Sequence, residues 1–330
     1  DVGLVATSIK KERFNYREII KEGKSFYLKF LGLIILSFLL YPIVGILVLV
    51  ISTKKSDAPQ VSDSKQKLRP QETITHGHGL AMDPNDSSKL YIATHHGLLV
   101  LENDKDLYQV GTATDDYMGF SPHPTDGKVF FSSGHPAAGG NIGFQKSEDG
   151  ALSWHKVSNG LGGPVDFHAM TVSLANHNLV YGSYHGAVQR SMDQGKTWEK
   201  FPVNFVIVNF AADPSDENII YAASPQGLFV SKDKAQTWTE LLDPAKGGFI
   251  SSVSIDPQNS KNLLVYSEKM GLIRSGDSGI TWIEVKADFA GETPLYIVFA
   301  KNVINIGYIL TEKNSIYKST DNGLTWKKIR

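Results

Sequence analysis

Short apolar runs separated by polar turns recur along residues 73–330. A representative stretch reads NIIYAAS from Asn218 to Ser224, followed after a short turn by GLFV from Gly227 to Val230. Runs of this length in β-favouring residues, bounded by turn residues, are typical of short strands. Four such runs make one unit. The units begin near His76, Asp116, Phe167, Val206, Phe249 and Pro294.

The third and fourth runs of most units are joined by an octapeptide, S-x-D-x-G-x-T-W, which we call the box. Its copies begin at Ser147, Ser191, Ser231, Ser275 and Ser319. Successive copies therefore lie 44, 40, 44 and 44 residues apart, and all five tryptophans of the chain close a box. Two copies are looser. Ala235 replaces the glycine of one, and Gly150 comes one position early in another, which has Ser153 for threonine.

A fixed period in the forties indicates a repeat architecture, and four-stranded repeats of this length close into a β-propeller. The sequence therefore predicts an all-β fold, a six-bladed β-propeller of four-stranded blades over residues 73–330. The first unit has no box, and Glu102-Asn-Asp104 stands in its place. The last unit is expected to supply its own fourth strand within Thr325–Ile329.

The box residues are expected to hold the turn between the third and fourth strands. Such a role suits residues that recur from blade to blade, whereas a binding site is unique. The aspartate can accept hydrogen bonds from turn amides, the glycine allows a positive φ, and the tryptophan anchors the blade. This structural role is assigned to Asp149, Trp154, Asp193, Trp198, Asp233, Trp238, Asp277, Trp282, Asp321 and Trp326.

The boxes resemble the Asp-box (BNR) repeat of sialidases, sortilin-type receptors and the photosystem II assembly propeller. The resemblance covers roughly residues 73–330. It is strongest to bacterial sortilin-like and BNR-repeat glycosyl hydrolase proteins, which share the His-Gly-His-Gly-Leu pattern at 76–80 and the Asp-Phe-His pattern at 166–168. It implies a propeller that is either a glycosyl hydrolase or a binding and assembly protein, because one fold supports many functions.

Residues before the repeats divide into three segments. Residues 1–29 are polar and mixed in charge, residues 30–52 form a membrane-anchor candidate, and residues 53–72 form a polar linker. Phe30 to Ile51 is 22 residues without a charge, and a helical span needs about 20 apolar residues. A cleavable signal peptide is the alternative, but its apolar core is usually shorter. We expect a single-pass protein of the cell membrane, with the propeller outside the cytoplasm.

Net charge and cysteine content exclude two classes of function. A formal net charge of -1 argues against nucleic acid as a partner. The chain has no cysteine, so it has neither disulfides nor thiolate metal sites. The remaining partners we expect are the membrane and a glycan or protein ligand.

Histidines are concentrated in one part of the repeat pattern. Loops that enter first strands, and loops between second and third strands, share one face of a propeller, and units four to six carry none of the ten histidines. Imidazoles beside a carboxylate suit Zn²⁺ or Cu²⁺, and three such ligands leave a position open for water. The alternative is a set of hydrogen-bonding loop histidines. The candidate ligands are His76, His78, His95, His96, Asp116, His135, His168 and His185.

Carboxylates on this face offer a second chemistry. A glycosidase needs two carboxyl groups about 5–9.5 Å apart. The candidates for that role are Asp116, Asp166 and Glu268. Sialidase chemistry is disfavoured, because the predicted propeller contains only three arginines, Arg190, Arg274 and Arg330, two of which precede boxes. Two functions remain open: a metal-dependent or glycoside-directed hydrolase, and a non-catalytic binding propeller.

Overall fold

The computed structural model describes residues 68–330. Within them, no helix combines the length and the apolar character needed to cross a bilayer. The segments predicted at 1–29 and 30–52, and most of the linker predicted at 53–72, lie outside the described residues.

Within residues 68–330, six antiparallel sheets follow one another, as the repeat predicted. Blade one contains β1 (Leu68–Pro70), β2 (Gly77–Met82), β3 (Lys89–Thr94), β4 (Gly97–Glu102) and β5 (Asp106–Val110). Blade two contains β6 (Asp116–Pro122), β7 (Phe130–His135), β8 (Phe144–Ser147) and β9 (His155–Ser158). Blade three contains β10 (Ala169–Val172), β11 (Val180–Tyr184), β12 (Ala187–Ser191) and β13 (Glu199–Pro202).

Blades four to six repeat this order. Blade four contains β14 (Asn209–Ala212), β15 (Ile220–Ser224), β16 (Gly227–Ser231) and β17 (Thr239–Leu242), followed by a helical turn, α1 (Pro244–Gly247). Blade five contains β18 (Ile250–Asp256), β19 (Asn259–Ser267), β20 (Gly271–Ser275) and β21 (Ile283–Glu284). Blade six contains β22 (Pro294–Phe299), β23 (Gly307–Thr311), β24 (Ile316–Ser319) and β25 (Lys327–Lys328).

The first strands of the six sheets form a closed ring. Each first strand contacts the next in the order β2, β6, β10, β14, β18 and β22, and β22 contacts β2. One apolar cluster fills each boundary between neighbouring blades. This distribution follows from the sequence pattern, because both faces of each small sheet carry apolar side chains that need a neighbour. The prediction of a six-bladed propeller with four-stranded blades is confirmed.

Blade one gains an outer strand that the sequence did not predict. β1 pairs with β5 in antiparallel register, Leu68 opposite Val110 and Pro70 opposite Tyr108. Blade six is completed by its own β25, as predicted, so β1 is an addition to blade one and does not close the ring. A proline is tolerated in β1 because it is an edge strand.

Asp104 joins blade one to blade six where the other blades have a box. Its carboxylate accepts a hydrogen bond from the Tyr308 hydroxyl at 2.6 Å and forms an ion pair with Lys318. Asp104 has a positive φ of 62°, a conformation that aspartate and asparagine tolerate better than most residues. The first unit therefore has no box, but an aspartate in its place connects blade one to blade six.

We expect Asp104→Asn to lower the free energy of unfolding by about 1 kcal/mol. Asparagine keeps the positive φ and can still accept the hydrogen bond from Tyr308. The loss therefore measures what the charge of Asp104 contributes through its ion pair with Lys318. Urea denaturation of the two proteins checks this value. Asp106→Asn, a neighbouring exposed aspartate, is the control and should have no effect; equal losses in both variants would contradict the assignment.

The five boxes have one hydrogen-bonding pattern. In the copy at Ser191, the serine hydroxyl donates to Asp193 at 2.7 Å and accepts from the Gly195 amide at 2.7 Å. Asp193 also accepts from the amide and the hydroxyl of Thr197, at 2.9 and 2.7 Å. The Trp198 ring packs between Phe144 of blade two and Phe167. Each box thus ties its turn together and places its tryptophan against the preceding blade.

Candidate functional site

A channel runs through the centre of the propeller, lined by the first strands of all six blades, with a cavity volume of about 220 Å³. His78 and His168 line it where first strands begin, and Pro124 and Lys301 line it beyond the ends of those strands. The hairpins between second and third strands share the end that carries His78 and His168. We call this end the histidine face, and the boxes lie on the opposite face.

His76, His78 and His95 form a first cluster, cluster A, at the boundary of blades one and two. A ring nitrogen from each lies within 4.8 Å of the other two. His78 Nε2 lies 3.0 Å from His95 Nε2, and the rings of His76 and His95 stack with centroids 4.6 Å apart. His76 precedes β2 with a positive φ of 48°, and the register of β2 shifts between Gly77 and Gly79. This bulge, rather than a regular strand, brings His76 and His78 together.

Asp116 determines which ring nitrogen of His95 carries a proton. Its Oδ2 atom lies 2.5 Å from His95 Nδ1, and a carboxylate only accepts, so Nδ1 carries the proton and donates it. In a neutral ring the lone pair of His95 is then on Nε2, directed at His78. A carboxylate behind a histidine in this way is the usual partner of a metal-ligating imidazole.

His78 is a neutral imidazole at neutral pH. Burial lowers the pKa of His78 to about 4, and the charge of His95 acts in the same direction, against the opposing effect of Asp116. Neutral imidazole is the form that coordinates metals. The environment of His78 therefore favours the neutral ring, which can coordinate a metal, over the protonated ring, which cannot.

We expect the chelator-treated protein to lose stability as the pH falls from 6.5 towards 4. Because the pKa of His78 is depressed in the folded state, the unfolded chain binds the extra proton in this window, and stability rises with pH there. Melting temperatures of the wild type and of His78→Gln, measured across the window, check this. The wild-type curve should be the steeper one, and parallel curves would count against a buried neutral His78.

His135, Asp166 and His168 form a second cluster, cluster B, between blades two and three. Asp166 Oδ2 lies 3.1 Å from His135 Nε2 and 2.8 Å from His168 Nε2. The hydrogen bond to Asp166 raises the pKa of His168. His135 Nδ1 lies 2.8 Å from the Gly140 carbonyl oxygen. The imidazoles of cluster B thus converge on one carboxylate oxygen.

Each cluster has a carboxylate within it or beside it, with one oxygen that accepts no hydrogen bond. Within residues 68–330, Asp116 Oδ1 and Asp166 Oδ1 are buried and accept no hydrogen bond. An unpaired buried carboxylate oxygen is costly unless a ligand or ion satisfies it. Each cluster therefore offers imidazole nitrogens and, within it or beside it, a carboxylate oxygen without a hydrogen bond, as a cation site requires.

The structure brings some predicted site residues together and leaves others apart. Cluster A and cluster B account for His76, His78, His95, His135, Asp166 and His168, and Asp116 pairs with His95 of cluster A. His96 is exposed beside His95, and His185 is exposed and stacks on Tyr184 at 3.9 Å. Neither belongs to a cluster among the described residues. Glu268 accepts a hydrogen bond from the Phe249 amide of its own blade.

His123, on the opposite face of the propeller, caps a turn, a role that we did not predict from the sequence. Its Nδ1 atom accepts from the amides of Thr125 and Asp126 at 3.3 and 3.2 Å. Asp83 does the same in blade one, accepting from the amides two and three residues on at 2.8 and 3.0 Å. The shared position after the first strand is the signal that could have identified His123 as a turn cap.

Comparison with known proteins supports the fold. No protein-family model matches the chain. A xyloglucanase from a Paenibacillus species is 28% identical in an alignment of 109 residues that covers 29% of this chain and 10% of that enzyme. The GH74 enzyme of Niastella koreensis superimposes with a TM-score of 0.54 at 17% identity, over 80% of this chain and 47% of the enzyme.

Two further solved structures show the same likeness. The GH74 xyloglucanase of Xanthomonas campestris has a TM-score of 0.52 at 14% identity, over 79% of this chain and 55% of the enzyme. YCF48 bound to D1 peptide has a TM-score of 0.53 at 15% identity, over 79% of this chain and 84% of YCF48. The chain spans about half the length of the two GH74 enzymes. It shares a β-propeller fold with GH74 glycoside hydrolases and with YCF48.

Proposed function

We propose that the protein binds a divalent transition metal, Zn²⁺ or Cu²⁺, through His76, His78 and His95, and uses it to hydrolyse a ligand held at the histidine face. The observation that carries the proposal is the pair His78 Nε2 and His95 Nε2, 3.0 Å apart, with Asp116 holding the proton on the far nitrogen of His95. Two nitrogens on one tetrahedral Zn²⁺ ion would lie about 3.3 Å apart.

Three protein ligands would leave one position for water. A Zn²⁺ ion held there would supply an activated water as nucleophile at neutral pH. The chain positions the imidazoles. Because His78 also lines the channel, the metal site would lie beside a ligand held there. Asp116 orients His95 through the hydrogen bond that it accepts from Nδ1.

A glycosidase mechanism with two carboxyl groups has less support. Asp116 accepts from His95 at 2.5 Å, and Asp166 faces His135 and His168 within 3.1 Å. A general acid must carry a proton that it can give to the leaving oxygen. Carboxylates that already accept hydrogen bonds from imidazoles are poorly placed for that role. If the substrate is a glycan, the fold likeness to xyloglucanases is compatible with it, and the cleavage would depend on metal.

A binding role without catalysis is the second candidate. YCF48, which shares the β-propeller fold of this chain, has a solved structure with D1 peptide bound. The ligand at the histidine face would then be a protein or peptide. Metal would in that case organise the binding surface.

Metal analysis of the full-length chain tests the proposal. The protein is purified in mild detergent, stripped with EDTA, reloaded with Zn²⁺, desalted and assayed for metal and for hydrolysis of ester, phosphate and xyloglucan substrates. His95→Gln should lose the metal of cluster A and the hydrolysis, whereas His96→Gln, the same change at an exposed neighbour, should keep both. Equal metal content in the two variants would contradict a metal site at cluster A. Bound metal without hydrolysis would favour the binding role.

We also propose that the protein is anchored in the cell membrane with the propeller outside the cytoplasm. The support is the uncharged stretch from Phe30 to Ile51, followed by the polar linker. Protease added to intact cells should then remove the propeller. Protection of residues 68–330 in intact but not in lysed cells would contradict this placement.

A further inference from the structure

We infer that cluster B is a second metal site, independent of cluster A, in which His135, Asp166 and His168 bind one divalent transition metal ion. The chain would then bind two ions at the histidine face, one between blades one and two and one between blades two and three. This inference does not rest on the metal site proposed at cluster A.

The proton inventory of His135 is the first observation. Its Nδ1 atom faces the Gly140 carbonyl oxygen at 2.8 Å, and a carbonyl only accepts, so Nδ1 carries a proton. In the neutral ring, Nε2 then carries a lone pair, and the acceptor Asp166 Oδ2 lies only 3.1 Å from it. Two acceptors at this distance need a cation between them or a second proton on the ring. A metal ion bound to both atoms satisfies them.

Asp166 supplies the second observation. The residue is only 7% exposed, and its Oδ1 atom accepts no hydrogen bond within residues 68–330. Its backbone is held on both sides: Val165 and Phe167 are fully buried, and the Phe167 amide donates to Ser133 Oγ at 2.9 Å. The carboxylate is therefore fixed in place with unused acceptor capacity, which is what a preformed ligand requires.

The imidazoles on either side can adjust to an ion. Around a tetrahedral ion, ligand atoms lie about 3.3 Å apart, slightly more than the 2.8 and 3.1 Å that separate the imidazoles from Asp166 Oδ2. His168 is exposed, and His135 borders a loop in which Gly139 and Gly140 have positive φ values of 87° and 86° and open space around them. Small shifts of both rings would admit the ion without moving Asp166.

The donor set indicates the class of ion. Two imidazole nitrogens and one carboxylate oxygen suit Zn²⁺, Cu²⁺, Ni²⁺ or Fe²⁺ better than Mg²⁺ or Ca²⁺, which prefer oxygen ligands. The competing state is a protonated His135 paired with Asp166. Metal stoichiometry separates the two, because the protonated pair binds no ion.

The experiment counts ions in the full-length chain after EDTA treatment, Zn²⁺ reloading and desalting. We expect two Zn²⁺ per chain in the wild type and one in His135→Gln and in His168→Gln. His185→Gln, the same change at an exposed histidine outside both clusters, should keep two. Because His168 is exposed, its variant is expected to fold, and an unchanged melting temperature of the chelated protein checks this.

A variant that lacks cluster A isolates cluster B. With His78 and His95 both changed to glutamine, Cu²⁺ bound at cluster B should give an electron paramagnetic resonance spectrum with splitting from two nitrogens. One Zn²⁺ per wild-type chain, lost with His95→Gln and kept with His135→Gln, would overturn the inference and leave the proposed function standing. One Zn²⁺ lost only with His135→Gln or His168→Gln would do the reverse, and no bound Zn²⁺ would overturn both.

Discussion

Replacing Gly195 with alanine is expected to lower the free energy of unfolding of the propeller by about 2–4 kcal/mol. Gly195 has a φ of 86°, and a Cβ added there would lie 2.0 Å from Cε1 of Phe144. Phe144 is fully buried and packs against Phe131 and Trp198, so its ring cannot move aside without disturbing the boundary between blades two and three. Urea denaturation of the wild type and the variant measures the loss.

Two matched substitutions separate the clash from the backbone strain. Gly323→Ala places a Cβ at a similar φ of 81°, but its nearest neighbours lie 3.2 Å away, so it should cost only about 1 kcal/mol. Ala235→Gly reverses the change in a box that already tolerates a Cβ at a φ of 67° and should be within about 0.5 kcal/mol of the wild type. Equal losses for Gly195→Ala and Gly323→Ala would show that packing against Phe144 is not the main cause.

The spacing of the boxes was enough to predict the fold, because the serine and aspartate bonds depend on local sequence alone. The loose copy at Ser147 shows how far this holds. Gly150 comes one position early, and Ala151 takes the place of the usual glycine with a φ of 65°. The Ala151 amide still donates to Ser147 Oγ at 2.9 Å. The hydrogen bonds of the turn therefore persist where the glycine does not.

Strand β1 and the contacts of Asp104 with blade six could not be predicted in the same way. β1 is three residues of a polar segment, and it is a strand only because β5 offers a free edge. Asp104 stands where the first unit lacks a box, and its partners Tyr308 and Lys318 are more than two hundred residues away in sequence. Both features depend on the closed ring, which local sequence does not contain.

The convergence of histidines on one face followed from the phase of the repeat, because the type of loop decides the face. Their division into two clusters did not. It depends on the bulge of β2 at His78 and on the loop after His135, which turns Nδ1 towards Gly140. Asp116 was identified as a candidate, but its contact with His95 on the neighbouring blade was visible only in the structure.

Asp116→Asn is expected to weaken Zn²⁺ binding at cluster A by about 10–100-fold, the usual cost of removing a carboxylate behind a metal-bound histidine. Asparagine can still accept the proton of His95 Nδ1, but without a charge it neither raises the basicity of the ring nor holds its tautomer as firmly. Competition with a chromophoric chelator, applied to the full-length chain, measures the affinity of each site.

Asp115→Asn is the matched control, because Asp115 is the adjacent aspartate and its Oδ1 atom accepts from the Ala137 amide at 3.1 Å instead of from a histidine. It should leave the affinity of cluster A unchanged, and neither variant should alter binding at cluster B, whose carboxylate is Asp166. Equal affinities in Asp115→Asn and Asp116→Asn would contradict the role given to Asp116. Loss of both ions in Asp116→Asn would instead show that the two clusters act as one site.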